Sequence, residues 1–378
     1  MEQTATSPLT IAYDAKRAYL NYRGLGSYCR NLLAQMARYY GENRYLLCTP
    51  QDKGLYPWLN EKPFERVLPN GLWSLAPSLW RSLGISGALI DQHIDIYHGL
   101  SQELPEGISR LGCKTVVTMH DAIFLRYPHL YSATYRRLFI RRNESACKRA
   151  DLIIAISQQT KRDYMDFFGV EEKCIRVVYQ GCNELYWKDV TADVMSYVRN
   201  TYVLPRNYVL CVGALEERKN QIRIIEAMAS RYIDMPLVLV GRGNSDYHKR
   251  LSECAKRYGV PLLILSNVNS SDLPAIYRMA SVFVYPSLFE GFGIPILEAA
   301  RSATPIVTSS GTCFEEIAGE GALYVPPTQA EALGEAILMT LQDSGATCKR
   351  VQAALRNTEK FRTESRAREM LQAYQSVL

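Results

Sequence analysis

Short apolar runs alternate with amphipathic segments along the whole chain, and this rhythm limits the possible folds more than any other feature of the sequence. Several runs carry no polar residue apart from a tyrosine hydroxyl, as in Leu237–Val240 and Val282–Tyr285. Such strands are buried on both faces, which is typical of parallel sheets covered by helices. The predicted strands are Leu9–Tyr13, Tyr45–Thr49, Ile94–His98, Thr115–Met119, Leu152–Ile156, Ile175–Tyr179, Tyr208–Val212, Leu237–Val240, Leu262–Leu265, Val282–Tyr285, Pro305–Thr308 and Leu323–Val325.

The chain of 378 residues is long for a single core, and its strands fall into two series. We therefore predict an α/β protein of two Rossmann-like, doubly wound parallel-sheet domains, residues 1–187 and 188–360. A polar stretch over 187–205 is the expected linker, and a helix in 361–378 is expected to pack back towards the N-terminal domain. Because ligands bind beyond the carboxyl ends of parallel strands, the site is expected in a central cleft between facing strand ends.

Composition narrows the class of protein further. With 47% hydrophobic and 22% charged residues, the chain resembles an ordinary globular enzyme. Residues 1–8 hold no apolar stretch typical of a secretory signal, and no run approaches the ~20 apolar residues of a spanning helix, so we expect a cytoplasmic protein. The ten cysteines show no C-x-x-C spacing, which disfavours a metal site or a disulfide framework.

Two glutamates that flank a glycine-rich turn form the strongest candidate site. Glu290 follows the strand Val282–Tyr285, and Glu298 is expected in the first turn of the next helix. Together with the backbone amides of residues 292–294, two carboxylates suit a polyhydroxylated, phosphorylated ligand such as a sugar nucleotide. Taken singly, Glu290 is explained as well by a solvated loop charge as by a functional role. Glu298 is explained as well by an interaction with the helix dipole.

Two weaker motifs follow strands of the first series. Gly24 and Gly26 can bring backbone amides close to an anion at a helix start, although the motif lacks the third glycine of a dinucleotide fingerprint. His120 lies directly after a predicted strand, where it can donate a hydrogen bond to a ligand hydroxyl, share a transferring proton or merely cap the strand. A plain loop and a structural histidine therefore stay open for these positions.

A third motif begins at Gly213, directly after the first strand of the second series. The turn carries Arg218 and Lys219 close to a predicted helix start. Two adjacent cations at such a place suit a diphosphate, because they can neutralise the charge of a leaving group. Exposed Arg-Lys pairs are common, so this motif alone does not settle the function.

Together the motifs resemble the retaining, two-Rossmann-domain (GT-B) glycosyltransferases of family GT4, typified by bacterial mannosyltransferases. The resemblance covers almost the whole chain, and Glu290 and Glu298 correspond to the E-x7-E signature of that family. It implies a GT-B fold and transfer of a hexose, with mannose as the first candidate, from a nucleoside-diphosphate sugar to a glycan or lipid-linked glycan. The other segments that carry the resemblance are Gly24-Leu25-Gly26, His120-Asp121, 150–157, 177–181 and 212–220.

The resemblance also implies roles for single residues. Glu298 would hold the ribose hydroxyls, and Glu290 would hold the hydroxyls of the donor sugar. The cations of the Gly213 turn would neutralise the diphosphate, while His120 would hydrogen-bond the sugar near the reacting carbon. The positions implied in catalysis are His120, Glu290, Arg218 and Lys219, and those implied in donor binding are Gly24, Gly26, Gly213, Val268, Phe292, Gly293, Ile294 and Glu298.

One position departs from the family pattern. Many members carry an arginine directly after the glycine that begins the phosphate loop, and this chain has Ala214 there. More of the phosphate charge would then be neutralised by Arg218 and Lys219. No D-x-D sequence occurs, so no metal or other cofactor is implied, and the leaving phosphate itself would take the acceptor proton.

The N-terminal domain is expected to bind the acceptor, and two of its segments suggest peripheral contact with a membrane. Arginines and lysines recur among apolar residues over 136–149, and Trp73 and Trp80 lie in a second apolar segment, 72–80. A solvated helix face and a packed core helix explain the same two segments equally well.

Three other functions fit parts of the pattern. A sugar-nucleotide 2-epimerase would share the two-domain architecture, and an inactive partner subunit would explain Ala214. A nucleic-acid-binding protein would use the net charge of +6, but no basic stripe with interleaved aromatic residues spans the chain, so nucleic acid is not an expected partner. The base of the donor stays open, with GDP-mannose first and UDP-sugars second.

Overall fold

A computed structural model describes residues 7–22 and 24–378, and two compact units make up the chain. Gly181–Arg362 forms the second unit, while the residues up to Gln180 and Thr363–Leu378 form the first. These divisions lie seven residues before and two residues after the expected boundaries at 187/188 and 360/361. Arg23, which precedes the Gly24 motif, lies outside the described residues, as do residues 1–6.

Each unit contains one sheet, and every pairing between neighbouring strands is parallel. The strands of the first unit are β1 (Thr10–Asp14), β2 (Arg44–Cys48), β3 (Phe64–Val67), β4 (Ile96–Gly99), β5 (Lys114–Met119), β6 (Leu152–Ala155) and β7 (Ile175–Val177). Those of the second unit are β8 (Val209–Val212), β9 (Leu237–Val240), β10 (Leu262–Leu265), β11 (Val282–Tyr285), β12 (Ile306–Ser309) and β13 (Ala322–Val325).

α-Helices lie between most successive strands in both units, with only short 3-10 helices between β2 and β3 (Pro57–Asn60) and between β4 and β5 (Ile108–Leu111), and the predicted α/β class is confirmed. Their bounds are α1 (Lys16–Leu20), α2 (Gly24–Tyr39), α3 (Pro77–Leu79), α4 (Ile85–Ala88), α5 (Ile123–Arg126), α6 (Ala133–Arg149), α7 (Gln158–Phe168), α8 (Ala192–Thr201), α9 (Gln221–Ser230), α10 (Ser245–Tyr258), α11 (Leu273–Met279), α12 (Ile294–Arg301), α13 (Phe314–Ala318), α14 (Ala330–Gln342), α15 (Ser344–Thr358) and α16 (Thr363–Gln375). In the described part of the chain, none of them is long and apolar enough to cross a membrane.

The strand order in each sheet reverses direction at one central pair. The first sheet has the order β3-β2-β1-β4-β5-β6-β7, and the second has β10-β9-β8-β11-β12-β13. The reversals fall between β1 and β4 and between β8 and β11. Loops that leave such a pair diverge and open a crevice at the carboxyl ends of the strands, which is where ligands bind in folds of this type.

Two elements differ from the sequence prediction. Strand β3 was missed, because it is a four-residue edge strand whose two central residues, Glu65 and Arg66, are exposed. The expected linker contains α8, which the hydroxyl of Thr191 caps by accepting from the Val194 amide. The linker prediction was wrong there, since Val198 alone is buried in α8 and one buried residue leaves no clear helical period.

The C-terminal helix α16 belongs to the first unit, where it contacts α2. The buried hydroxyl of Tyr374 lies 2.7 Å from Nδ1 of His98 on β4 and donates to the Tyr13 hydroxyl on β1 at 3.2 Å. Buried polar contacts of this kind fix a helix in one register, because any slip would leave the polar atoms without partners.

Candidate functional site

Two loops meet at the switch point of the second sheet. One follows β8 and begins with Gly213, whose φ of 148° lies outside the region that other residues favour. The second follows β11. The amide of Leu288 donates to the Arg218 carbonyl at 2.9 Å, and the side-chain amide of Asn220 donates to the Pro286 carbonyl at 3.2 Å. Motifs about seventy residues apart in the sequence are therefore held as one piece of structure.

The carboxylate of Glu290 is the centre of this piece. Its Oε1 accepts from the Ser287 hydroxyl at 2.7 Å and from the Tyr285 hydroxyl at 3.2 Å. The same oxygen pairs with Nη1 of Arg218 at 2.7 Å and with Nζ of Lys219. The Lys219 amine also donates to the Tyr285 hydroxyl at 2.6 Å. Three of the sequence-predicted residues, Glu290, Arg218 and Lys219, thus form one ion-paired cluster.

Charge controls the protonation of Glu290. Burial alone would raise its pKa, but Arg218 and Lys219 outweigh burial, and the hydrogen bonds from Lys219 and Ser287 add to their effect, so the pKa falls to about 2. The group therefore stays ionised at every physiological pH. A carboxylate with so low a pKa is a weak base, which makes positioning of a ligand the better role for it.

The two cations of the cluster differ in their surroundings. Arg218 donates from Nη1 to the Phe289 carbonyl at 2.9 Å and from Nη2 to Glu216 at 2.7 Å, so it ties both loops to each other. Lys219 contacts side chains only, the Tyr285 hydroxyl and Glu290. Arg218 therefore joins the two loops through main-chain and side-chain contacts, whereas the Lys219 ammonium is held by side chains.

Glu298 lies apart from this cluster, on α12. The helix begins at Ile294, so Glu298 is its fifth residue, and its expected place in the first turn was wrong. Pro295 fits the second helical position, where its missing N–H costs no hydrogen bond, and this shifts the helix start towards the glycine turn. The Tyr277 hydroxyl of α11 donates to Oε2 of Glu298 at 2.9 Å.

The pKa of Glu298 moves in the opposite direction to that of Glu290. Burial raises it to about 7, although the hydroxyls of Tyr277 and Tyr186 favour the charged form. The buried Tyr186 hydroxyl lies close enough to Glu298 to affect its pKa, but it forms no hydrogen bond of good geometry among the described residues. Glu298 titrates near neutral pH and has no cation within ion-pair distance among the described residues. Hydroxyl donors from a ligand would therefore stabilise its carboxylate form.

The turn between the glutamates is fixed by its own packing. Gly293 caps α12 with a φ of 119°, and a Cβ there would lie 3.0 Å from the ring of Phe314. The thiol of Cys313 contacts the carbonyl oxygens of Glu290 and Phe292. Phe292 and Gly293 are buried and Ile294 is half-buried. That the amides of this turn contact a donor sugar stays a prediction.

The remaining predicted position of the second unit, Val268, lies in the loop after β10. It is half-buried beside Asn267, whose Oδ1 accepts from Nη2 of Arg242 at 2.6 Å. Arg242 belongs to the turn after β9, and Gly241 of that turn has no room for a Cβ, which would lie 1.8 Å from the Gly213 carbonyl. The loops after β8, β9 and β10 therefore adjoin one another at one sheet edge.

His120 belongs to the first unit and follows β5. Its Nε2 lies 2.8 Å from the Leu100 carbonyl, which can only accept, so Nε2 carries the hydrogen. Burial lowers the pKa to about 4, against the opposing effect of that carbonyl, and the ring is neutral at physiological pH. The remaining nitrogen, Nδ1, carries no hydrogen in the neutral ring, so it can accept a hydrogen bond from a ligand hydroxyl. It cannot donate one, although the sequence analysis had allowed a donor at this position.

The two glycines near the start of α2 have different surroundings. A Cβ at Gly26 would lie 1.8 Å from the Asn21 carbonyl, so only glycine fits where the helix packs on that loop. A Cβ at Gly24 would meet no atom within 4 Å. Gly26 is therefore required by the fold, whereas open space above Gly24 is available for a ligand to approach the backbone.

The structure also identifies residues that sequence reasoning missed. Tyr285 and Ser287 contact Glu290, and their only signal is their position on either side of Pro286, just before the motif. Tyr277 and Tyr186 lie near Glu298, and no local pattern marks them. Within the ranges that the structure describes, no three His, Cys, Asp or Glu side chains are arranged to hold a metal ion.

Each of the two units matches a model of a known protein family. Residues 22–184 match the model described as Glycosyltransferase Family 4, and residues 200–358 match the model described as Glycosyl transferases group 1. The O-antigen chain mannosyltransferase B of Escherichia coli is 29% identical over 294 residues, which is 76% of each chain. The serotype-specific mannosyltransferase WbdA of Escherichia coli is 29% identical over 227 residues, and the match spans 56% of this chain but only 27% of that protein.

Solved structures support the fold. The Anabaena protein Alr3699/HepE in complex with UDP-glucose superposes with a TM-score of 0.75 at 20% identity and covers 97% of this chain and 100% of its own. At this identity the likeness shows the architecture of two parallel-sheet domains and nothing about the ligand. With the two family matches and the mannosyltransferase relatives, it shows that the chain belongs to the GT4-like glycosyltransferases of the GT-B fold.

Proposed function

We propose that this glycosyltransferase is a retaining hexosyltransferase that moves a hexose, with mannose as the first candidate, from a nucleoside-diphosphate sugar to a glycan or lipid-linked glycan. GDP-mannose is the first candidate donor, and UDP-sugars are the second. The observation that carries the proposal is the cluster of Glu290 with Arg218 and Lys219 at the switch point of the second sheet. Mannosyl transfer is supported by the two relatives described above, both of which are named as mannosyltransferases.

The donor makes three kinds of contact in this proposal. Glu298, with no cation beside it, accepts hydrogen bonds from the ribose hydroxyls. Glu290 accepts from the hydroxyls of the sugar, and its fixed charge and four surrounding donors hold it in place. Lys219 exchanges part of its contact with Glu290 for a diphosphate oxygen, and this contact strengthens as negative charge develops on the leaving group.

The reaction then proceeds on one face of the sugar. The bond between the anomeric carbon and the phosphate oxygen breaks, and the acceptor oxygen bonds to the same face of that carbon. A phosphate oxygen takes the acceptor proton, so the products are the glycoside and the nucleoside diphosphate. His120 accepts a hydrogen bond from a sugar hydroxyl through Nδ1. No metal takes part in the proposal.

A screen of nucleotide sugars tests the proposal. A ligand that binds the native state raises the melting temperature of the protein. The rise measured with GDP-mannose, GDP, UDP-glucose and UDP should therefore rank these four compounds by affinity. Release of nucleoside diphosphate from the donor that binds should persist with EDTA. It should be lost in Glu298→Ala and in Lys219→Ala.

Each competing function has its own result in the same assay. A 2-epimerase would convert the sugar of the nucleotide sugar without releasing nucleoside diphosphate. An inactive partner subunit would release none from any donor, and loss of turnover in EDTA would overturn the metal-independent mechanism. The stereochemistry of the product glycoside decides between retention and inversion. It is read from the one-bond NMR coupling between C1 and H1 of the transferred sugar.

A further inference from the structure

Gln102 of the first unit has a backbone conformation that the end of a helix does not explain. Its φ is 62°, in the left-handed region that residues with a side chain rarely adopt. Three other residues with a positive φ lie two positions after the last residue of a helix, where such a conformation is common; they are Val203, Tyr232 and Ala303. Gln102 instead follows strand β4, beside the switch point of the first sheet. Backbone strain at such a place is a reason to examine the residue for a function.

The side-chain amide of Gln102 is held in one orientation. Its Nε2 donates to the Asp121 carbonyl at 2.8 Å and to the Tyr164 hydroxyl at 3.0 Å. Because a carbonyl oxygen can only accept, the reversed amide would place Oε1 against another oxygen. Both hydrogens of the amide are therefore used inside the protein, and only Oε1 is left to interact with a further group.

A buried network fixes Tyr164 in turn. The Asn143 side chain on α6 donates to the Phe139 carbonyl at 2.8 Å, and its Oδ1 accepts from the Tyr164 hydroxyl on α7 at 2.5 Å. The Asp121 carbonyl is farther from that hydroxyl, at 3.3 Å, so the hydrogen goes to Asn143. Asn143 and Tyr164 are 1% and 0% exposed. Two helices thus determine the orientation of the Gln102 amide, which belongs to neither of them.

The Oε1 atom of Gln102 is the one polar atom of this amide that the fold does not use. It has no hydrogen-bond partner among the described residues, and solvent reaches it, since the side chain is half-buried and this atom is not enclosed. His120 lies at the same sheet edge, where the Leu100 carbonyl occupies Nε2 and leaves Nδ1 as an acceptor. The loop after β4 therefore holds residues 120 and 121 through two hydrogen bonds and presents an uncharged acceptor beside them.

We propose that Gln102 is a second sugar-binding residue of the first unit, whose Oε1 accepts a hydrogen bond from a sugar hydroxyl. A sugar matches this arrangement because it carries several hydroxyl donors and needs no counter-charge. Water would hydrate Oε1 in any orientation, so the fixed amide and the strained backbone favour an oriented ligand. The proposal rests on the proposed function, and the hydroxyl comes from the donor hexose or from the acceptor glycan.

Removal of the side chain together with single hydroxyls of the sugar tests the contact. Gln102→Gly suits this test, because glycine adopts a φ of 62° without strain. Calorimetry measures the Kd of GDP-mannose and its monodeoxy-mannose analogues, and NMR titration measures that of methyl α-mannoside and its monodeoxy analogues. One deoxy position should weaken binding to the wild-type chain by about ten-fold. The same analogue should bind Gln102→Gly as well as the full sugar does, since the contact is already lost.

The two series of sugars distinguish the two sources of the hydroxyl. Loss of the deoxy effect in the GDP series assigns the hydroxyl to the donor, and its loss among the methyl mannosides assigns it to the acceptor. A merely structural Gln102 would leave the effect of every deoxy position unchanged in the variant, and that result overturns the proposal. Equal binding of all sugars to the wild-type chain and to Gln102→Gly overturns it too. If UDP-glucose is the donor that binds, its deoxyglucose analogues and methyl α-glucoside replace the mannose series.

A matched control lies at the opposite edge of the same sheet. Gln92 is a half-buried glutamine that precedes β4, and its Oε1 accepts from Arg44 at 2.8 Å, so Gln92→Ala should bind every sugar as wild type does. Gln102→Asn repeats the test with an amide one methylene shorter in a residue that tolerates the left-handed region. Unchanged melting temperatures show that the variants are folded. A wild-type chain that binds these sugars without the deoxy effect rejects this proposal alone, whereas one that binds no sugar of either series rejects the proposed function as well.

Discussion

The two sheets carry candidate residues of opposite electrostatic character beyond their carboxyl ends. In the second unit, Glu290, Arg218 and Lys219 remain charged because they pair with one another. In the first unit, His120 has no ionic partner among the described residues, and burial lowers its pKa to about 4. A buried group thus keeps its charge where a counter-charge is supplied and loses it where none is supplied.

This difference assigns the two halves of the proposed reaction. A diphosphate that gains negative charge as it leaves needs cations, which the second unit provides. A sugar hydroxyl needs only a hydrogen-bond acceptor, and the neutral imidazole of His120 provides one. The comparison can be tested by removing charge on one side and hydrogen bonding on the other.

Removal of the Lys219 ammonium should have the largest effect. Lys219→Met keeps the length of the side chain but leaves the developing phosphate charge unopposed by an amine, so kcat/KM should fall by about a hundred- to a thousand-fold. Arg223→Gln is the matched control, since Arg223 is a half-buried cation that pairs with Glu226 on the same helix, α9, and should keep wild-type activity. A Lys219→Met enzyme within three-fold of wild type would contradict the assignment.

Removal of the neutral imidazole should cost less. His120→Ala deletes one uncharged hydrogen bond to the sugar and a ring that packs on Tyr28, so we expect kcat/KM to fall by about ten- to a hundred-fold. Histidine NMR should show that the ring stays neutral down to about pH 5, because its pKa is lowered to about 4. An imidazolium at position 120 near pH 6 would overturn the contrast between the units.

The pH dependence of donor binding should report on Glu298. Its pKa of about 7 means that half of the free enzyme carries the protonated acid at neutral pH. If the ribose binds the carboxylate, donor affinity should be about ten-fold weaker at pH 6 than at pH 8. The Glu298→Gln variant should bind weakly with no such slope. Calorimetry at several pH values measures both, and a slope that persists in the Gln variant would assign the titration to another group.

The same shift has a consequence for stability. A carboxyl whose pKa in the folded chain is raised above the unfolded value of 4.5 stabilises the fold below that pH and loses this contribution as pH rises through about 7. Glu290 behaves in the reverse way, since its lowered pKa stabilises the fold above pH 4.5 and the contribution disappears only as pH falls towards 2. The two glutamates of one motif thus have opposite pH dependences.

Sequence patterns predicted the strands and the contiguous motifs, but they missed contacts between residues that are far apart in the sequence. The buried strands follow from continuous apolar runs, and β9, β10 and β11 have the bounds that were predicted. Glu290 and Lys219 were found because each lies in a contiguous motif. Their direct contact was not foreseen, because it depends on the loops after β8 and β11 packing together. For the same reason the surroundings of Glu298 were missed, since Tyr186 lies 112 positions away in the sequence.

The smallest predicted effect concerns the position where this chain departs from its family. Ala214 is half-buried beside Gly213, and its carbonyl accepts from the Gln221 side chain at 2.8 Å, so the backbone there is fixed whatever the side chain. Ala214→Arg would add a third cation to a cluster in which Glu216 and Glu290 already balance two, and nucleoside diphosphate should bind a few-fold more tightly at low salt. Ala214→Gln matches the added bulk without the charge and should bind as wild type does. If the arginine variant binds nucleoside diphosphate no more tightly than wild type, the diphosphate does not lie beside this turn. The charged side chains of the second unit would then stabilise its loops and would not bind the ligand.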